Sequence, residues 1–211
     1  MLKSYLNIVA YAMVRVVMYP MVLLYHRFSV KWTEPVPEDR RVIIACNHTS
    51  FLDPLLVGLA FPRRLRYLAK EEIFRVYFLS WIVRTLGAVP VSRETNAAAA
   101  SSLKSFLKFL KEGSDVLIFP EGARSLDGKL LPLEAGVAVV ACHSQAPILP
   151  AFIKGAYEAM PPGSAIIKPA KITITFGKLI TLEPEAYKEK GARDKIMASL
   201  SDAFKTLESS S

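Results

Sequence analysis

A histidine and an aspartate lie five positions apart, just after a short apolar run near the start of the chain. The run is Val42 to Ala45, and Asn47, His48 and Asp53 come directly after it. An apolar run of this length predicts a short strand that is buried on both faces. On one continuous helix, His48 and Asp53 would be about 140° apart around the axis and would not share a face. We therefore predict that His48 ends the strand in a loop and that Asp53 caps a helix beginning at Pro54.

This arrangement would turn the Asp53 carboxylate back toward the His48 ring. A carboxylate that accepts one ring N–H fixes the histidine tautomer and stabilises the imidazolium formed when the other nitrogen takes a proton. The pair would then be a general base and its orienting group. The alternative is that Asp53 is only a helix cap and His48 is structural, and this stretch alone leaves both interpretations open.

Length, charge and hydrophobicity indicate one α/β domain that meets an anionic partner. The chain has 211 residues, enough for one domain with a sizeable core and an appendage. Its formal net charge is +8, and 52% of its residues are hydrophobic. A chain that is both basic and apolar favours a membrane phospholipid surface over nucleic acid, and the sequence has no basic signature interleaved with aromatic residues.

The cysteines and histidines give no pattern of a metal or redox site. Cys46 and Cys142 lie in apolar runs and are predicted to be buried, reduced thiols of a protein on the cytosolic side. Three histidines are too few for a histidine-rich metal site. We expect neither a metal ion nor a cofactor.

Residues 1–34 are predicted to be an N-terminal amphipathic segment associated with a membrane. The apolar stretch 4–26 is long enough for a bilayer, which takes about 20 residues, but Arg15 and Pro20 disfavour a simple span. No cleavage site for a signal peptide follows it. Aromatic residues suited to the headgroup level are Tyr5, Tyr11, Tyr19, Tyr25 and Trp32. We predict one or two helices that lie in or dip into one leaflet, with Lys3, Arg15, Arg27 and Lys31 toward anionic lipid. The alternative is a buried helix of a soluble protein.

Residues 35–211 are predicted to form the main domain, in which strands and helices alternate. The pattern predicts strands at 42–45, 67–69, 88–91, 116–119, 148–153 and 172–176. It predicts helices at 54–60, 71–86, 97–112 and 134–143, and a last helix that Pro184 opens. The basic run of Arg63, Arg64 and Arg66 is predicted to be a solvated face.

Polar residues follow several of these strands at the point where each strand ends. Lys70, Arg93 and the segment 121–125 occupy such positions, as do His48 and Asp53. Because the ligand site of an open α/β sheet lies beyond the carboxyl ends of its strands, we predict that one sheet edge collects them.

The segment after the fourth predicted strand has the residue types of a phosphate clamp. Gly122 permits a tight turn, and Arg124 offers a fork of donors suited to a phosphate. The sequence has no G-x-S-x-G elbow and no glycine-rich nucleotide loop. We predict that the base acts on a hydroxyl group of a phosphorylated lipid.

Two of these stretches carry a resemblance to a known family. N-H-T-S-F-L-D, residues 47–53, resembles the H-x4-D block of the glycerolipid acyltransferases, and F-P-E-G-A-R-S, residues 119–125, resembles their F-P-E-G-T-R-S block. Residues 87–93 and 148–155 are similar to the second and fourth blocks, and the four occur in family order. The similarity is in particular to the bacterial 1-acylglycerol-3-phosphate O-acyltransferase type. Ala123 stands where threonine is usual, and Pro90 interrupts the second block.

The resemblance implies a fold and a reaction. The fold is α/β, with a central mixed β-sheet flanked by helices and an N-terminal membrane-associated helical segment. The reaction is transfer of an acyl chain from acyl-CoA or acyl-carrier protein (acyl-ACP) to the sn-2 hydroxyl of lysophosphatidate, without an acyl-enzyme, at the cytoplasmic face of the inner membrane. Family positions make His48 the base and Asp53 its orienting group. Substrate-binding positions by the same resemblance are Lys70, Arg93, Glu121, Gly122 and Arg124.

Two alternatives to this reaction stay open. One is a member of the same family that uses another lysolipid acceptor, since the chain is short for the family. The other is a membrane lipid-binding protein without turnover, although binding alone needs no base.

Overall fold

A computed structural model describes residues 2–75, 77–91 and 96–210. Its helices are α1 (Leu2–Tyr25), α2 (Asp53–Ala60), α3 (Tyr77–Thr85), α4 (Asn96–Lys111), α5 (Gly136–Ser144), α6 (Ala156–Ala159) and α7 (Ala192–Ser210). Short 3-10 turns cover Glu71–Arg75 and Ala186–Lys188. The strands are β1 (Ser29–Trp32), β2 (Ile43–Cys46), β3 (Leu65–Lys70), β4 (Ala88–Val91), β5 (Asp115–Ile118), β6 (Ile148–Lys154) and β7 (Thr173–Phe176).

The strands form one mixed sheet with the order β1-β7-β6-β2-β5-β3-β4. Strands β6, β2, β5, β3 and β4 run parallel to one another, whereas β7 is antiparallel to β6 and pairs in parallel with β1. The predicted fold class, a central mixed sheet flanked by helices, is confirmed. All four residues of β2 are buried, because this strand is paired on both sides and covered on both faces.

The sheet separates two hydrophobic clusters. Ile44 belongs to the first cluster with Leu56 of α2 and Val14 of α1, and Ile43 belongs to the second with Phe106 of α4 and Phe204 of α7. Successive residues of a strand point to opposite faces, so the apolar run of β2 supplies both layers. Helices α1 and α2 therefore cover one face, and α4, α5 and α7 cover the other.

Helix α1 continues through Pro20 and packs against the first face of the sheet. Val14 and Val22 are buried there, and the Arg15 guanidinium donates hydrogen bonds to the carbonyl oxygens of Leu59 at 3.0 Å and Pro62 at 3.2 Å. The prediction that Arg15 points toward lipid was wrong. Carbonyl groups at the end of α2 lack partners within the helix, and the arginine binds them. No helix among the described residues is both long enough and apolar enough to cross a bilayer.

The basic run before β3 also faces the protein. Arg63 donates from Nε to Asp115 Oδ2 at 2.7 Å and from Nη2 to Asp115 Oδ1 at 2.8 Å, and Asp115 Oδ1 also accepts the Val42 amide. Arg64 donates to the Thr85 carbonyl. The prediction of a solvated face was therefore wrong for Arg63, because the buried aspartate that begins β5 needs a charged partner.

Three further elements differ from the sequence-based expectations. Strand β1, which no pattern indicated, lies inside the segment 1–34 and forms one edge of the sheet. The predicted helix 71–86 begins as a 3-10 turn, and α3 starts only at Tyr77. The long last helix begins at Ala192, since the segment after Pro184 forms a separate 3-10 turn.

Candidate active site

The strand β2 ends at a buried asparagine that joins it to β6. Asn47 donates from Nδ2 to the Ile153 carbonyl at 2.9 Å and accepts the Ile153 amide at 2.7 Å through Oδ1. The side chain thus donates and accepts one hydrogen bond each with the backbone of β6, as a paired strand residue does, at the point where the backbone of residue 47 leaves the sheet. The following residue, His48, is held at the carboxyl edge of the sheet.

His48 and Asp53 are in direct contact. The distance from His48 Nδ1 to Asp53 Oδ2 is 2.8 Å, and the same oxygen accepts the amides of Thr49 at 2.7 Å and Ser50 at 2.8 Å. Asp53 is completely buried, whereas the His48 side chain is 17% exposed. With the carboxylate as acceptor, Nδ1 carries the ring proton, and Nε2 is the basic nitrogen.

The structure corrects the predicted position of Asp53 at the helix start. Helix α2 begins at Asp53 itself, and its N-cap is Leu52, which makes no capping hydrogen bond through its side chain. The carboxylate turns back to the preceding amides instead of accepting from the first helical turn. Its second oxygen, Oδ1, is buried without a hydrogen-bond partner in the described part of the chain. The predicted contact of the pair is present, and it is made by an aspartate inside the first turn.

Phe119 fixes the plane of the imidazole. The ring centroids of His48 and Phe119 are 4.0 Å apart, and the ring planes differ by 17°. A stacked aromatic ring restricts rotation of the histidine about its side-chain bonds. Phe119 is the first residue of the block F-P-E-G-A-R-S, and nothing in the sequence pattern indicated this contact with His48.

Glu121 holds the backbone of the turn that carries His48. Its Oε1 accepts the His48 amide at 2.6 Å, and its Oε2 accepts the Leu131 amide at 2.7 Å. The Ser125 amide in turn donates to the His48 carbonyl at 2.8 Å. Burial raises the pKa of Glu121, while the two amide hydrogen bonds oppose that rise. Because both carboxylate oxygens are engaged, these contacts favour a positioning role for Glu121 over the substrate contact that the resemblance implied.

Gly122 makes the tight turn that its position predicted. Its φ is +69°, in the left-handed region, and a Cβ atom there would lie 2.6 Å from Oε1 of Glu134. A side chain would therefore be strained at this position and would displace Glu134.

Arg124 lies beside the same turn. Its guanidinium carbon is 3.4 Å from the centroid of the Phe51 ring, which is a cation–π contact. Phe51 belongs to the segment between His48 and Asp53, so the stacking places a positive charge next to this segment.

The remaining two predicted ligands, Lys70 and Arg93, are not brought next to His48 by the described residues. Lys70 is exposed at the end of β3, which β5 separates from β2, and Arg93 lies outside the described residues.

The parallel strands bring the described part of the predicted site to one edge. Strands β2, β5 and β3 run in the same direction, so the segments that follow them emerge together. The result is a protein with a mixed α/β sheet whose carboxyl edge carries a histidine, oriented by an aspartate, next to an arginine. Such a site fits proton abstraction from a hydroxyl group on an anionic substrate.

Comparison with known proteins identifies the family. The family model described as Acyltransferase matches residues 27–154. The chain is 33% identical over 146 residues to the 1-acyl-sn-glycerol-3-phosphate acyltransferase of Bacillus subtilis, a match that covers 69% of each chain. The chain belongs to the acyltransferase family and is an O-acyltransferase, as the resemblance implied.

A plant relative and a solved structure agree with this assignment. The chloroplastic 1-acyl-sn-glycerol-3-phosphate acyltransferase BAT2 of Brassica napus is 30% identical over 141 residues, which are 66% of this chain and 41% of that protein. The crystal structure of the 1-acyl-sn-glycerophosphate (LPA) acyltransferase from Thermotoga maritima is similar with a TM-score of 0.67 and 26% identity. That similarity covers 88% of this chain and 73% of the other.

Proposed function

We propose that the protein transfers an acyl chain from a thioester donor to the sn-2 hydroxyl of 1-acyl-sn-glycerol-3-phosphate, forming phosphatidate. The donor is acyl-CoA or acyl-ACP. The observation that carries this proposal is the His48–Asp53 contact of 2.8 Å, which leaves one basic ring nitrogen at a partly exposed position. The relatives described above bear the name of this activity.

In the proposed mechanism the acceptor hydroxyl attacks the thioester directly. His48 Nε2 takes the hydroxyl proton as the oxygen forms a bond to the thioester carbonyl carbon. The C–S bond then breaks, and the thiolate leaves with the proton that the imidazolium returns. General base assistance of this kind contributes typically about 10² to 10⁴ in rate. Asp53 stabilises the transient positive charge on the ring, since its carboxylate oxygen is 2.8 Å from Nδ1.

The phosphate of the acceptor is proposed to bind next to this base. Arg124 is the main proposed ligand of this phosphate, because its stacking on Phe51 holds the guanidinium against the segment between His48 and Asp53. Lys70, at the end of β3, is proposed as a further phosphate ligand, and so is Arg93, on the resemblance of its sequence block alone. Arginine suits this task, since its planar fork donates two parallel hydrogen bonds to a phosphate.

Replacing Arg124 by lysine is expected to raise the KM for lysophosphatidate about tenfold with a smaller change in kcat. Lysine keeps the charge but loses both the bidentate geometry and the flat contact with Phe51. Steady-state kinetics with varied acceptor at saturating donor would measure this. Arg193, an exposed arginine on α7, gives a matched control through Arg193→Lys, which makes the same chemical change away from the site. An unchanged KM in Arg124→Lys would remove Arg124 from the acceptor site.

Replacing Glu121 by glutamine is expected to lower kcat about tenfold or more, and to remove the part of the decline in stability with rising pH that the Glu121 carboxyl group causes in wild type. Glutamine has one acceptor oxygen for the two amides that Glu121 binds, so the His48 backbone loses its fixed position.

The stability part of this prediction follows from the raised pKa of Glu121. The folded state binds this proton more tightly than the unfolded state does, so the proton stabilises the fold fully below about pH 4.5. That contribution is lost as the pH rises from there through the raised pKa. Chemical denaturation at several pH values should show this decline in wild type and not in Glu121→Gln. Identical pH profiles would contradict the assignment.

We also propose that α1 holds the enzyme at the cytoplasmic face of a membrane. Several of its apolar side chains are exposed, among them Val16 at 72% and Leu24 at 80%. Helices that expose such a stripe bind the interfacial region of bilayers. The active-site edge would then face the layer where a lysolipid acceptor resides.

The decisive experiment is acyl transfer from labelled palmitoyl thioester in detergent micelles. Lysophosphatidate, lysophosphatidylethanolamine and no acceptor would be compared, with palmitoyl-CoA and palmitoyl-ACP as alternative donors. Product from lysophosphatidate alone is expected. Product mainly from lysophosphatidylethanolamine would change the acceptor, and no product from the folded protein with any acceptor would contradict the proposed reaction.

A further inference from the structure

The segment directly after Arg124, residues 125–129, forms a loop beside the site, and we call it the site loop. Its one large apolar side chain, Leu126, is 80% exposed, and Asp127 and Lys129 are exposed as well. Exposed side chains give a segment few buried contacts, and such segments open easily. The position of the site loop therefore depends on its hydrogen bonds and on close packing of its backbone.

The start of the site loop is bound to the turn that carries His48. The Ser125 amide donates to the His48 carbonyl at 2.8 Å, and the Ser125 hydroxyl donates to Asp127 Oδ1 at 3.0 Å. The Lys129 amide donates to the same aspartate oxygen at 3.1 Å. The loop is thus folded around the Asp127 side chain and is joined to the base at one of its ends.

Tyr157 of α6 contacts the site loop from the other side. Its hydroxyl donates to the Leu126 carbonyl at 2.8 Å. Its ring lies against Gly128, where a Cβ atom would be 3.0 Å from the ring carbon Cγ. That separation is shorter than the usual contact of two carbon atoms, so the absence of a side chain lets the loop lie this close to the ring. One aromatic side chain therefore holds the loop at two residues.

Helix α6 attaches Tyr157 to the core of the sheet. Ala156 and Ala159, on either side of the tyrosine, are completely buried in the first hydrophobic cluster. The helix follows β6 almost directly, and Asn47 binds the backbone of Ile153 in that strand. Tyr157 is therefore held by elements that do not depend on the loop it contacts.

The residue after α6, Met160, contacts the other half of the site. Its carbonyl accepts a hydrogen bond of 2.8 Å from the Ser50 hydroxyl, and Ser50 Oγ accepts the Leu52 amide at 3.2 Å. Ser50 and Leu52 lie between the histidine and the aspartate of the proposed base pair. The short helix thus holds the site loop through Tyr157 and the segment 48–53 through Met160.

We propose that Tyr157 is a positioning residue for the phosphate end of the acceptor and that it acts through Arg124. The Leu126 carbonyl that Tyr157 binds is two residues after Arg124, so this bond fixes the backbone that carries the arginine. Stacking on Phe51 orients the guanidinium, and Phe51 is adjacent to Ser50. Both members of the stacked pair are therefore held from α6, which keeps the phosphate ligand at a constant separation from the base.

The inference rests on the proposed function, because that function assigns Arg124 to the phosphate of lysophosphatidate. It adds a residue that lies outside the four sequence blocks of the resemblance. Tyr157 is not proposed to touch the substrate. Its effect on the reaction is expected in acceptor binding and not in the chemical step.

Steady-state kinetics of Tyr157→Phe tests this role. The variant keeps the ring and removes the hydroxyl group, so the KM for lysophosphatidate is expected to rise about fivefold. The KM for the thioester donor should be unchanged, and kcat should change little. A fall in kcat with an unchanged acceptor KM would contradict positioning through the phosphate ligand.

Tyr187→Phe is the matched control. The buried Tyr187 hydroxyl accepts the Leu182 amide at 3.2 Å, so this variant also removes a hydroxyl group bonded to the backbone. Leu182 is close in sequence to Ile180, which pairs with Ile148 at the start of β6, at the end of the sheet opposite to His48. The control is expected to lose stability and to keep wild-type kinetics. An equal rise of the acceptor KM in the control would reduce the effect to stability and overturn the inference.

A double-mutant cycle tests whether Tyr157 acts through Arg124. In an Arg124→Ala background there is no guanidinium to position, so adding Tyr157→Phe should change the acceptor KM by less than about twofold. The same fivefold rise in both backgrounds would show that Tyr157 acts independently of Arg124 and would contradict the proposal.

Two measurements without turnover separate this inference from the proposed reaction. In Tyr157→Phe, hydrogen exchange of the amides of residues 125–129 should be about fivefold faster than in wild type. Equilibrium binding of lysophosphatidate should be weaker by about the same factor. Tyr187→Phe should match wild type in both measurements.

Each outcome decides one of the two proposals. If wild-type protein bound lysophosphatidate but transferred no acyl chain, the proposed reaction would fail, and weaker binding by Tyr157→Phe would still support the positioning role. Faster exchange with unchanged affinity would show a bond that supports only the loop and would overturn that role. Unchanged exchange and unchanged affinity would overturn it as well and would leave the reaction standing.

Discussion

Replacing His48 by alanine is expected to lower the rate of acyl transfer to lysophosphatidate by at least about 10² to 10⁴, the range that general base catalysis supplies. The side chain is partly exposed, and its ring contacts Asp53 and Phe119 without filling the core. The backbone of residue 48 would still be bound by Glu121 and Ser125, so the turn should keep its position. The loss should therefore appear in kcat, with KM for the acceptor changed little.

His143 provides the matched control for this substitution. It lies exposed on α5, and its Nδ1 pairs with the Val139 carbonyl of the same helix. His143→Ala should keep wild-type kinetics. Circular dichroism and thermal unfolding would establish that both variants fold. If His48→Ala retained more than a tenth of the wild-type kcat, another group would have to remove the hydroxyl proton.

The elements nearest the site could be predicted because their signals are local. Strand β2 is a short apolar run, β4 is bounded by Gly87, and α4 carries a clear helical repeat of apolar residues. In an open α/β sheet, ligand sites lie beyond the carboxyl ends of the strands, and this rule then predicts the position of the site. These patterns were sufficient to place His48 and Asp53 together at a sheet edge with Glu121, Gly122 and Arg124.

The features that the sequence did not predict depend on contacts between residues that are distant along the chain. Strand β1 is an edge strand that pairs with β7, more than a hundred residues away along the chain. In the sequence, Arg15 and Arg63 cannot be told from ordinary surface cations. Only the folded chain shows that Arg15 binds the end of α2 and that Arg63 binds Asp115. Charge alone therefore did not distinguish a lipid-facing arginine from one that supports the fold.

Glu121 shows the same limit within the site. A glutamate in a block shared with acyltransferases suggests contact with substrate. Its carboxylate nevertheless lies between two backbone amides, those of His48 and Leu131, which are far apart in sequence. The distinction between binding a ligand and positioning another residue required the three-dimensional contacts.

Replacing Asp53 by asparagine is expected to lower kcat by at least about 10², with a small effect on stability. Oδ2 of Asp53 accepts the His48 ring and the amides of Thr49 and Ser50, whereas Oδ1 has no hydrogen-bond partner among the described residues. An asparagine would therefore place its carbonyl oxygen at the three donors and its amide group at the unpartnered side. The geometry of the turn and the ring tautomer would be preserved, and only the negative charge would be lost.

The variant thus measures what the charge contributes to catalysis. Without it, the imidazolium formed during attack has a neutral partner in a buried environment, where a missing counter-charge is costly. Asp202→Asn makes the same chemical change on the exposed face of α7 and should leave kcat unaltered. Steady-state kinetics of both variants, with unfolding curves to compare stability, would measure the difference. If Asp53→Asn kept wild-type kcat, orientation of the ring would be sufficient, and stabilisation of the imidazolium by Asp53 would be excluded from the mechanism.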